Sequence, residues 1–196
     1  MTKCDTSRTT RLFGAVTVRS TPSIEQILSR LSKLGRAVQA IRNDQLHITL
    51  KFYGHVADTV IPSLVAGLDD VARDTEPFTW TVRGTRAFPS TQRPNVIWAG
   101  ADDGGRFAEL AEQIERFGVP LGFARERRAF APHLTLARIK FRPPQTLAEL
   151  LQETSDYEFG SQRADSLVLM QSETGPGGST YTPLHTATFD ASRSTL

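Results

Sequence analysis

The sequence predicts an α+β fold, with an antiparallel sheet in each of two pseudo-symmetric lobes, helices outside and a cleft between. Three observations carry this. Strand-like and helix-like segments are interleaved along the chain. Several neighbouring strand candidates are joined by turns far too short for a parallel crossover, so they must pair antiparallel. One strand pattern also occurs twice: Leu46-His47-Ile48-Thr49-Leu50-Lys51-Phe52 returns as Pro132-His133-Leu134-Thr135-Leu136-Ala137-Arg138. Each copy alternates apolar and polar residues, the signature of a half-buried strand. Each lobe is expected to contribute one of these strands to the central cleft.

In chain order, residues 1–10 are polar and rich in Ser and Thr, and read as a loose tail. Residues 11–18 form a strand. Thr21 followed by Pro22 is a helix start, and Ile24, Ile27, Leu28, Leu31 and Leu34 keep helical spacing until Gly35. Residues 38–42 form a short strand, and Asn43-Asp44 turns into the first repeated strand, which ends at Gly54. Asp58 caps a second helix with Ile61, Leu64, Val65, Leu68 and Val71 inward, and Pro62 is tolerated in its first turn. Residues 78–82 and 96–99 alternate as strands around the loop 88–94. Asp102-Asp103-Gly104-Gly105 opens a third helix carrying Phe107, Leu110, Ala111, Ile114 and Phe117, closed by Gly118. After the second repeated strand come a short helix at 144–152 and a hairpin, 166–173 with 180–189, around Gly175-Pro176-Gly177-Gly178. The tail from Asp190 is polar. The domain is therefore taken as 11–189, with 1–10 and 190–196 as flexible tails.

Composition excludes several classes. The 196 residues carry a net charge of only +2, with 39% hydrophobic and 22% charged residues, as in an ordinary globular protein without a strong global field. The basic residues are unevenly placed. Between positions 119 and 142 stand Arg125, Arg127, Arg128, Arg138, Lys140 and Arg142 against the single acid Glu126, a local excess that can steer a phosphate. With Cys4 as the only cysteine, neither an intrachain disulfide nor a cysteine metal site is expected. No apolar run approaches the roughly 20 residues that span a bilayer. The N-terminus lacks the apolar core of a secretory signal. A cytoplasmic, membrane-free protein is expected.

Within the first repeated strand, alternation points His47, Thr49 and Lys51 one way and Ile48, Leu50 and Phe52 the other. Same-face residues two apart lie about 6.6 Å from each other, so an imidazole and a hydroxyl can reach one small anion. Two such strands side by side bring two imidazoles and two hydroxyls to a common point. Histidines with pKa near 6.5 suit paired acid/base work, since one can be neutral while the other is charged. The Thr hydroxyls can donate to non-bridging phosphate oxygens. No carboxylate stands at ligand spacing from either histidine, so no metal and no cofactor are expected. Lys51 reads as solvated, Tyr53 as rim-packed, Trp80 and Trp98 as core, and His55 and His185 as surface. Phe88 and Tyr181 suit either base stacking or core packing.

The paired His-x-Thr-Leu strands resemble the two signature tetrapeptides of the 2H phosphoesterase superfamily. The resemblance extends to Arg11-Leu12-Phe13, the run 46–54, Phe88-Pro89-Ser90 with Arg93-Pro94, Trp98-Ala99-Gly100, the run 132–138, and Gly175-Pro176-Gly177-Gly178 with Tyr181-Thr182. It is nearest to the RNA 2′,3′-cyclic phosphodiesterase, or 2′-5′ RNA ligase, subgroup. It implies a bilobal, metal-independent enzyme acting on RNA ends that bear a 2′,3′-cyclic phosphate; a monomer is expected. His133 is then the proton acceptor and His47 the proton donor, with Thr49 and Thr135 on the phosphate; the residues themselves leave acid and base unassigned. Arg138 resembles a phosphate-contacting arginine, although strict alternation turns it away from His133. Gly14 stands where the subgroup more often has a bulkier residue, implying an altered cleft wall. Two other readings are a non-catalytic RNA-end binding module on the same fold, and a metal-dependent hydrolase ligated by the histidines.

Overall fold

A computed structural model describes residues 8–175, 178–190 and 192. In order it contains β1 (Thr9–Thr17), α1 (Pro22–Ser32), β2 (Val38–Ala40), β3 (His47–Ala57), α2 (Ile61–Arg73), β4 (Phe78–Phe88), β5 (Val96–Asp102), α3 (Arg106–Gly118), β6 (His133–Ile139), α4 (Thr146–Glu153), β7 (Glu158–Ala164), β8 (Ser166–Gly175) and β9 (Gly178–Thr188). The strands form one antiparallel sheet in the order β7-β4-β5-β6-β3-β1-β8-β9, with β2 also on β6. The two sheets expected in separate lobes are thus one continuous sheet. They join where β3 meets β6 through the single pair Ile48↔Leu134.

Alternation decides which face each strand buries. Leu12, Ile48, Leu50, Trp80, Ile97, Leu134 and Leu136 pack under the helices, against Ile24, Leu31, Leu64, Leu68, Leu110 and Ile114, all at 5% exposure or less. The opposite face keeps a small apolar cluster of Phe13, Ala15, Val168 and Met170 beside Tyr181, together with the polar residues of the repeated strands and exposed aromatic rings such as Phe52 and Phe88. One face of the sheet is core and the other is left open.

The helices are distributed across the β3–β6 seam. α1, which follows β1, packs on β2 and on β6 and β7, whereas α3, which follows β5, packs on β3. The start of α1 is tied in the same crossed way. Thr21 caps α1 by accepting from the Ile24 N–H (3.3 Å) and donates to the Phe159 carbonyl (2.9 Å). Gln162 spans the backbone of Arg19 with both ends of its amide, accepting at 3.2 Å and donating at 3.0 Å.

Several local expectations need correction. Thr9 and Thr10 are not tail but strand, opposite Ala57 and Val56. Asp58 does not cap α2. It opens a 3-10 turn (Asp58–Val60) and accepts from the Thr10 hydroxyl at 2.9 Å. Strands β4 and β5 run longer than their alternating cores, because Gly84, at φ +66°, bends β4 through a register shift without ending it. Asp190 donates its backbone N–H to the Ala72 and Thr75 carbonyls, so the ordered chain extends past 189. Residues 1–7, Pro176, Gly177, Ala191 and 193–196 lie outside the described residues.

Candidate active site

Both repeated strands contain a β-bulge at the same place. On β3, Thr49 pairs with Ala15 and Lys51 with Gly14, leaving Leu50 unmatched. On β6, Thr135 pairs with Trp98 and Ala137 with Ile97, leaving Leu136 unmatched. An extra residue reverses the facing of everything after it. Leu50 and Lys51 are therefore both buried, as are Leu136 and Ala137, and the next residues, Phe52 and Arg138, emerge on the open face. This corrects the alternation that set Lys51 beside His47. It also supplies the bulge Arg138 needs to share a face with His133.

The single Ile48↔Leu134 pair sets the geometry at the centre. Continuing its antiparallel register puts His47 across from Thr135 and Thr49 across from His133. The two histidines are then diagonal neighbours, with α-carbons about 7–8 Å apart. His47, Thr49, His133, Thr135, Arg138, Phe52 and Tyr181 all line one cavity of ≈ 870 Å³.

Each imidazole is held by the same device. His47 Nδ1 lies 2.7 Å from the Gln45 carbonyl and His133 Nδ1 lies 2.8 Å from the Ala131 carbonyl. A carbonyl can only accept, so Nδ1 carries hydrogen in both rings and Nε2 is left to exchange protons. Aromatic rings fix the planes. Phe13 and Tyr181 stand 5.0 and 4.9 Å from His47, and Phe88 and Trp98 stand 5.3 and 5.8 Å from His133. Burial holds the His47 pKa below its ordinary value, against the Gln45 carbonyl; the charges of Arg138 and His133 push in the same direction as burial.

Sequence reasoning missed other parts. Gln45 orients His47 through its carbonyl, and its side-chain amide brackets Tyr181, accepting at 3.0 Å and donating at 3.3 Å. Only its place two residues before the histidine could have marked it. Trp98 is half-buried on the cleft face and stacks on Phe88 at 4.7 Å, rather than filling the core. Lys51 is not solvated. It sits under the cleft with its ammonium 2.7 Å from Glu115 Oε2 and 3.0 Å from the Ala124 carbonyl. Tyr53 is buried beside it, and burial together with the Glu115 charge pushes its hydroxyl well above the usual range. Gly14 faces Tyr53, with its Cβ position 3.7 Å from that ring, so it does not shape the cleft wall. His185 is only partly exposed and lies 2.7 Å from Asp69, while His55 is exposed as expected. Of the basic cluster, Arg125 and Arg128 both line the cavity, Arg125 while paired with Glu112.

Among the described residues, no three His, Cys, Asp or Glu side chains gather as ligands for a metal ion. No described helix is long and apolar enough to cross a membrane.

Comparison with known proteins adds an independent line. A family model described as the 2′-5′ RNA ligase superfamily matches residues 20–176. A Methanothermobacter thermautotrophicus protein named RNA 2′,3′-cyclic phosphodiesterase is 33% identical over 162 residues, 82% of this chain and 88% of its own. An Archaeoglobus fulgidus protein of the same name is 32% identical over 176 residues, 89% of this chain and 97% of its own. Among solved structures, TT0787 of Thermus thermophilus superposes with a TM-score of 0.76 at 28% identity, covering 91% of this chain and 97% of that one. E. coli LigT complexed with 3′-AMP shares the fold, with a TM-score of 0.70 at 23% identity over 92% and 98% of the two chains.

Proposed function

The chain belongs to the 2′-5′ RNA ligase superfamily, and on that premise we propose that it is a hydrolase that opens RNA 2′,3′-cyclic phosphates to 2′-phosphates without a metal ion. The observation that carries this reading is the matched pair of imidazoles, each with Nδ1 tied to a carbonyl two residues upstream and both lining one cavity.

In this mechanism water approaches phosphorus on the His133 side. His133 Nε2 takes its proton as the oxygen–phosphorus bond forms. The bond from phosphorus to O3′ breaks on the opposite side, and protonated His47 Nε2 delivers its proton to O3′. The products are a 2′-phosphate and a free 3′-hydroxyl, and exchange with solvent resets both rings. Thr49 and Thr135 donate to the non-bridging oxygens, and Arg138 offsets the charge that gathers there. With a 5′-hydroxyl in place of water, the same steps join two RNA ends through a 2′-5′ linkage. Residues 9–190 act as one bilobal unit and as a monomer in this scheme.

The direct test incubates the protein, in EDTA, with an oligonucleotide ending in a 2′,3′-cyclic phosphate. A 2′-phosphate product is expected. Activity lost in EDTA and restored by zinc, or a 3′-phosphate product, overturns the reading.

The His47 environment sets the pH dependence. An acid must start protonated, yet burial and Arg138 favour the neutral ring in the free enzyme. The alkaline limb of kcat/KM is therefore expected below the ordinary histidine value of about 6.5. Bound substrate brings a negative phosphate that favours imidazolium, so the alkaline limb of kcat is expected at higher pH. Rate profiles in which the two limbs coincide would contradict His47 as the acid.

A further inference from the structure

A nucleophile larger than water needs room on the His133 side of the phosphate, and the sheet supplies it. In the row through His133, the neighbour on β5 is Gly100 and the next residue, on β4, is Arg83. Gly100 puts no side chain on the open face, and a Cβ there would stand 2.9 Å from the Arg83 carbonyl oxygen. One row along, Thr135 is followed by Trp98 and then Arg86. Both arginines are exposed and share that face with Phe88. Among the described residues neither guanidinium makes an ion pair or hydrogen bond. Glu158 is the register partner of Arg83 on β7 and Asp102 stands across from Thr81, but neither pairs with these arginines. Two strand spacings, about 10 Å, separate Arg83 from His133 and Arg86 from Thr135 along these rows.

We propose that this bare strip, floored by Gly100 and edged by Trp98, Arg83 and Arg86, seats the RNA strand that supplies the 5′-hydroxyl in ligation. The inference rests on the functional reading above and assigns the second strand within it. The polyanionic strand matches two unpaired guanidiniums, and the strip adjoins His133 through its register partner Gly100. The 5′-hydroxyl gives its proton to His133 Nε2 as its oxygen bonds phosphorus; the bond to O3′ breaks, and O3′ takes the His47 proton. The strand bearing the cyclic phosphate lies on the His47 side.

The test compares wild type with R83A/R86A and with a control, R73A/R116A, that also removes two positive charges. Arg73 and Arg116 are engaged with Asp70 and Glu112 on helix surfaces. The readout is fluorescence anisotropy with a single-stranded 5′-hydroxyl oligoribonucleotide lacking a cyclic phosphate. The first double variant is expected to bind about tenfold more weakly at low salt, with a log–log salt slope flatter by about 1.4, two single-strand phosphate contacts. Ligation should fall in parallel, while hydrolysis of a cyclic mononucleotide stays within about twofold of wild type. Unchanged affinity, or an equal loss in the control, overturns the proposal. Failure of wild type to open any cyclic phosphate would instead overturn the functional reading, and the binding arm would still score the strip.

Discussion

Alanine at His133 is expected to lower kcat for cyclic-phosphate opening by about 10²–10⁴-fold, and alanine at His47 by a similar factor. Both rings are half-buried on the open face, outside the main core, so circular dichroism and urea midpoints should change little. The two losses differ in kind. His47 protonates a leaving alkoxide, so a phosphodiester with a p-nitrophenolate leaving group, which departs without a proton, should recover much of the loss in His47→Ala. The same substrate should not rescue His133→Ala, because attack by water still needs a base. Rescue of His133→Ala alone would exchange the roles. Wild-type rates in either variant would end the paired mechanism.

Lys51→Met is expected to cost about 3–5 kcal/mol of stability, among the largest effects of any single substitution in this chain. The Lys51 and Glu115 side chains are 4% and 11% exposed, and the pair joins β3 to α3. Removing the ammonium strands a carboxylate in the interior and releases the Ala124 carbonyl. Glu115 also accepts from the Glu126 N–H at 3.3 Å, so the segment forming one cleft wall loosens with it. Replacing both partners, as K51M/E115M, removes the stranded charge and should recover most of the loss. Urea denaturation of the two variants measures both terms. A double variant no more stable than K51M would show that the wall segment, rather than the buried charge, carries the cost.

The α+β class and the motif strands were legible because period-two patterning survives wherever one strand face is buried. The α1 start was legible because Thr21-Pro22 is a local signal, and the hairpin after Ser166 because glycine clusters mark turns. What escaped was non-local or parity-breaking. The bulges at Leu50 and Leu136 leave no mark in composition, yet each reverses the facing of the residues directly after it, which misassigned Lys51 and obscured Arg138. The Lys51–Glu115 pair escaped because its members are 64 residues apart. Strand β7 has only Phe159, Gln162 and Ala164 inward, too weak an alternation to read. Trp98 looked like core because a large ring usually is; here it is spent flanking an imidazole.

The crossed helices have a consequence for any attempt to divide the molecule. A fragment ending before β5 would carry α1 with part of its apolar stripe bare, since β6 and β7 would be missing and only β2 would remain beside it. The complementary fragment would expose α3 in the same way and lose β3, its partner. Two polypeptides cut in the 89–94 loop should therefore be inert and aggregation-prone alone, yet able to reconstitute one another when mixed, like the halves of a split reporter.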